Sequence, residues 1–117
     1  MKAVKLKLNK QEARLMAENL TVLVQMVPER GDYGKDGAGE YEWATDRVLL
    51  GLVARLWHKY YTRLLACDPA GAVSITLPEP YALAYRTCLT CFEVVLPSQD
   101  HRMLAFETCN TIHQATC

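Results

Sequence analysis

The chain has 117 residues, half of them hydrophobic, which is one compact domain's worth of sequence and enough to bury a core without disulfides or metal. A two-domain enzyme is excluded. Thirteen basic residues balance thirteen acidic ones, so no global field draws the protein to nucleic acid, anionic lipid or polyacidic substrates, and any such binding has to be local.

Residues 1–11 carry lysines but lack the apolar core and small-residue cleavage site of a signal peptide. The longest apolar run, Val48 to Ala54, falls far short of the roughly 18 residues that span a bilayer. Five cysteines, an odd number set mainly in apolar segments, point to free thiols rather than a disulfide framework. The expectation is a cytoplasmic protein without a membrane partner.

Val4, Leu6 and Leu8 alternate with Lys5 and Lys7, the period-two pattern of a half-buried strand. Asn9 followed by Glu12 reads as a capping box, and Ala13, Met16, Leu20, Leu23 and Val27 then mark one face of an amphipathic helix that Pro28 is expected to end. Residues 29–42 hold four of the six glycines and seven charged side chains, which predicts a flexible surface loop. A second helix is expected from about Trp43 to Ala66, with Asp46 near its start and Arg55, Lys59 and Arg63 toward its end, as the helix dipole favours. Asp68, Pro69 and Gly71 break it.

Val73, Ile75 and Leu77 alternate with Ser74 and Thr76 in a second strand, and Pro80 suits the first turn of a third helix. There Tyr81, Tyr85, Cys88, Phe92 and Val95 mark an apolar face that Ala84, Leu89 and Cys91 widen, which predicts the most buried helix of the chain. Pro97 and Ser98 open a fourth helix, whose Met103, Phe106, Cys109 and Ile112 recur at spacing three.

Laid over each other at an offset of 69, Val4 to Leu23 and Val73 to Phe92 share Val4/Val73, Leu8/Leu77, Ala13/Ala82, Leu20/Leu89 and Thr21/Thr90, with Leu6 against Ile75. The second helices of the two halves show no comparable match. The pattern suggests an internal pseudo-two-fold repeat of halves 1–67 and 68–117. The fold class read from these elements is α+β, mainly helical: one domain over residues 1–117, in βααβαα order, with a minimal two-stranded sheet covered by four helices. Residues 1–67 carry 11 basic and 8 acidic groups, whereas residues 68–117 carry 2 and 5.

Four residues have the chemistry of zinc ligands: Cys88 and Cys91, two residues apart in a CxxC pair, with Cys109 and His113. Cys117 continues the last pair's spacing. Leu89 and Thr90 inside the CxxC pair do not make the tight knuckle that structural zinc uses, and Cys88 and Cys109 lie within apolar stripes, so core packing is the expected role and zinc the alternative. A basic edge of Arg55, Lys59 and Arg63, with Arg47 and His58 beside Trp57, Tyr60 and Tyr61 and extended by Lys5 and Lys7, has the composition to contact nucleic acid or an acidic partner. A solvated helix face is the simpler reading of it. The glycine-rich segment fits neither a P-loop, since Asp36 follows Gly34-Lys35, nor a calcium loop, since Asp32, Asp36 and Glu40 recur every four residues. Arg30-Gly31-Asp32 is a chance match to an adhesion tripeptide.

No histidine sits in a nucleophile motif and no paired-carboxylate motif appears. An enzyme would need a pocket lined by His58, Tyr60 or Tyr61 with an acid from residues 29–42. The sequence therefore leads to a protein-interaction or assembly module, pairing with itself as a homodimer or with another protein, and needing no catalysis or cofactor.

Overall fold

The structure, a computed structural model, describes residues 3–29, 40–66 and 71–116. Strand β1 (Ala3–Asn9) leads into helices α1 (Lys10–Glu29) and α2 (Glu40–Leu65), and strand β2 (Ala72–Pro78) leads into α3 (Glu79–Cys91), a 3-10 turn (Glu93–Val95) and α4 (Gln99–Thr116). The order is βααβαα, mainly helical, as the sequence predicts.

The strands pair antiparallel within one chain, with Val4 opposite Leu77, Leu6 opposite Ile75 and Leu8 opposite Val73. Leu6 and Ile75 are also each other's counterparts in the repeat, so this register puts a pseudo-two-fold axis between them. The spacing extends to the elements: β1 and β2 start at Ala3 and Ala72, α1 and α3 at Lys10 and Glu79, all 69 residues apart. Packing follows the same exchange, for α1 packs on α2 as α3 does on α4, α1 meets α4 as α3 meets α2, and α2 flanks β2 as α4 flanks β1.

Alternation decides which sheet face is covered. Val4, Leu6, Leu8, Ile75 and Leu77 are buried against the helices, while Ala3, Lys5, Lys7, Ser74 and Thr76 are exposed on the other face. One face of the sheet, rather than both, carries the core. Leu20 and Leu23 of α1, Leu50, Val53, Leu56 and Leu64 of α2, Tyr85 and Leu89 of α3, and Leu104 and Ile112 of α4 complete it. The capping box forms as read: Asn9 N–H donates to Glu12 Oε1 at 3.0 Å and Glu12 N–H to Asn9 Oδ1 at 2.8 Å.

Four local expectations are corrected. Helix α1 continues through Pro28 to Glu29, since a proline in the last turn costs a hydrogen bond without ending the helix. Helix α2 begins at Glu40; Glu29 and Glu40–Glu42 are thus helical, and the rest of the expected loop lies outside the described residues. Helix α3 stops at Cys91, with the Phe92 N–H closing on Cys88 O at 2.9 Å. The 3-10 turn then re-phases the chain, burying Phe92 and Leu96 and exposing Cys91 and Val95. In α4 the buried stripe is His101, Leu104, Ala105, Thr108 and Ile112, whereas Met103 is 53% and Phe106 69% exposed. Strict spacing of three drifts off a helix face, so that residues nine apart end about 180° from each other.

Replacing Asn9 by Ala is expected to cost about 1 kcal/mol in a urea unfolding titration, the usual value of an N-cap; an unchanged midpoint would show that the box contributes nothing. Tyr85 is fully buried, and that burial, with lesser contributions from Cys109 and Cys88, holds its phenol proton far above the usual range. The unfolded chain releases that proton near pH 10 while the folded chain keeps it, so stability falls as pH rises beyond about 10, by about 1.4 kcal/mol per pH unit. Tyr85→Phe should flatten this alkaline slope relative to the parent chain.

Candidate functional site

Helix α2 lies beside β2. The Tyr60 hydroxyl donates to Thr76 O of β2 at 2.7 Å, and Arg55 Nη1 reaches the Tyr81 hydroxyl, just beyond β2, at 3.4 Å. Helix α2 therefore runs past β2 in the opposite direction, with Arg55, Lys59 and Arg63 one turn apart along its exposed edge. Across β2 from it, Lys5 pairs with Thr76 and Lys7 with Ser74. All five cations are exposed. No Asp or Glu occurs in β1, β2 or residues 48–65 of α2, so this strip has a positive potential that the net charge of zero conceals. Lys59 Nζ lies 5.3 Å from the Tyr60 ring centroid, and Trp57 sits edge-on to exposed His58 at 4.9 Å.

The zinc-type residues separate. Cys88 is buried in the core, Cys91 is exposed, Cys109 is half-buried and His113 is exposed. Among the described residues no three His, Cys, Asp or Glu side chains stand close enough to hold a metal ion. Cys88, Cys91 and Cys109 take part in no disulfide; Cys117 lies outside the described residues. Cys109 and His113, one helical turn apart, share a groove of about 390 Å³ between α3 and α4, together with Arg86, Leu89, Thr90, Glu93, Arg102 and Phe106.

Sequence reasoning missed that groove, although the repeat carries its signal. Arg86, Leu89 and Thr90 of α3 and Glu93 of the 3-10 turn are the counterparts of Ala17, Leu20, Thr21 and Val24 on α1. In the first half that face is closed: Ala17 and Leu20 are buried, Val24 packs against the core, and Trp57 Nε1–H donates to Thr21 Oγ1 at 2.9 Å. In the second half two of the four positions are charged, and where Thr21 has the indole, Thr90 Oγ1 has the smaller Cys109 Sγ at 3.8 Å. Burial pushes the Cys109 thiol up, while its Thr90 contact and the Arg86 charge pull it down and Glu93 adds an upward push.

A second unforeseen cluster ties the halves together. Ser98 Oγ lies 2.6 Å from His101 Nδ1, His101 Nε2 lies 3.2 Å from Glu18 Oε1, and Asn19 Nδ2–H donates to His101 O at 3.2 Å. With Nε2–H given to the Glu18 carboxylate, Nδ1 is left to accept the Ser98 hydroxyl. This is the order of a serine–histidine–acid relay. The same Ser98 oxygen accepts the His101 N–H at 3.3 Å as the cap of α4, so the cluster anchors the start of α4 against α1. Of the residues an enzyme would need, His58 is exposed, whereas Tyr60 is buried and committed to Thr76; the acidic residues 30–39 lie outside the described residues.

No family model, no curated protein and no solved structure matches this chain. None of its described helices is long and apolar enough to cross a membrane.

Because the thiolate is the reactive form, alkylation of Cys109 by iodoacetamide should lag behind a short thiol peptide at neutral pH and accelerate above the ordinary thiol range. Mass mapping of labelled Cys109 checks this, and a rate equal to the peptide's would contradict the burial.

Proposed function

We propose that the protein is a cytoplasmic interaction and assembly module that works through its surface rather than through catalysis, engaging an acidic protein through the strip formed by Lys5, Lys7, Arg55, Lys59 and Arg63. The observation that carries this reading is the set of five exposed cations on β1 and α2, with no carboxylate in β1, β2 or residues 48–65. Such a field steers encounter and selects partners by charge more than it adds raw affinity.

A second copy of the chain is itself a partner of the required kind. Glu12, Asp100 and Glu107 line a cleft beside Asn9 at the β1 flank, the pseudo-symmetric counterpart of the basic flank. One copy's strip against another's cleft gives charge-driven self-association. A symmetric dimer would need that contact made twice, and a single contact would be heterologous and would extend into chains.

Sedimentation velocity at low and high salt, alongside titration with a labelled Glu-rich peptide and with a DNA duplex, tests the reading. Binding of the peptide or of a second copy should weaken with salt and fall by about tenfold or more in a Lys5→Glu, Lys7→Glu, Arg55→Glu, Lys59→Glu variant that keeps the parent's circular dichroism. Equal binding by parent and variant would overturn it, and tighter binding to the duplex than to the peptide would make the strip a nucleic-acid surface instead.

A further inference from the structure

A different face of the molecule carries a second site. The seam between α1 and α2 and the groove between α3 and α4 occupy equivalent places around the pseudo-two-fold axis, and their threonines adopt the same local geometry: Thr21 Oγ1–H donates to Ala17 O at 2.8 Å and Thr90 Oγ1–H to Arg86 O at 2.9 Å. With its proton given to the preceding turn, each oxygen keeps its lone pairs for an incoming donor. Thr21 receives the indole N–H of Trp57. Thr90 lines the groove, where Cys109 Sγ lies 3.8 Å from its Oγ1 and no tryptophan is among the described lining residues.

We propose that the α3/α4 groove is a binding site for a small, flat heteroaromatic molecule that carries a ring N–H and a carboxylate, seated where Trp57 sits in the other half. Its size, about 390 Å³, falls in the range of small-molecule sites. Leu89 and Ala105 supply an apolar floor, and exposed Phe106 supplies an aromatic wall. The ring N–H donates to Thr90 Oγ1, as the indole of Trp57 does to Thr21. Arg86 and Arg102, both half-buried at the groove, set two cations there against the single carboxylate of Glu93; a guanidinium matches a carboxylate through paired N–H donors. Arg86 stands where the first half has Ala17, so a position that closes one helix seam bears a charge in the other. This site is independent of the basic strip.

Indole-3-acetate is the probe, titrated calorimetrically and by amide chemical shifts against the full chain. Saturable binding is expected, with shifts concentrated at Leu89, Thr90, Phe106 and Cys109. Methylation of the ring nitrogen, replacement of the carboxylate by an amine (tryptamine), and Arg86→Gln should each weaken binding about tenfold or more, as expected for loss of a hydrogen bond to a charged or partly buried group. Cys109→Trp, which puts an indole where the first half has one, should abolish binding while the circular dichroism and cooperative unfolding persist. Lys5→Glu with Lys7→Glu should leave it unchanged. Absence of saturable binding at millimolar probe overturns the proposal, as does binding that withstands either Arg86→Gln or a folded Cys109→Trp.

Discussion

The pairing of Leu6 with Ile75 is the contact on which the remaining architecture depends. A two-stranded ribbon is marginal by itself, and here it is the only sheet among the described residues. Its register sets where every helix starts. Shifted by one residue, it would turn Leu6 and its neighbours to solvent and bring Lys5 and Lys7 into the core. Because the paired residues are also repeat counterparts, the register generates the pseudo-two-fold relation, and each half's second helix lands beside the other half's strand. Neither half can bury its strand alone, so the two fold as one body.

The symmetry ends at the side chains. Trp57, held by Thr21 and lying 5.1 Å from the Tyr61 ring, closes the seam between α1 and α2 with aromatic bulk. Between α3 and α4 the equivalent face carries Arg86 and Glu93, whose charges resist burial without partners, and the seam stays open. Charge divides in the same way. The α2 flank of the sheet is basic, while the cleft at the β1 end of α4 is lined by Glu12, Asp100 and Glu107. Two halves with the same order of elements thus present two flanks of opposite sign and one open groove.

Polar groups also join the two halves. His101 is buried with hydrogen bonds to Ser98 and Glu18, and its carbonyl receives Asn19 across 82 residues of sequence. Buried polar groups cost stability unless they are partnered. Their geometry is therefore demanding, and it specifies how α4 docks on α1 more narrowly than Leu104 or Ile112 could.

The sequence by itself determined the element order, both strands with their inward faces and the capping box, because each depends on residues a few positions apart: alternation by two, helical spacing, and a side chain that reaches its own helix end. It also held the groove in outline, since Ala17 and Val24 correspond to Arg86 and Glu93. Only the tertiary structure decided that Met103 and Phe106 face solvent, because that depends on which side of α4 meets α1 and β1, and a stripe at spacing three names no side. It alone placed Cys109 in a groove, joined Ser98, His101 and Glu18, and brought the cations of β1 and α2 to the two sides of β2. Those relations run between residues tens of positions apart, and they exist only once the Leu6 and Ile75 strands have paired and fixed the distances between helices.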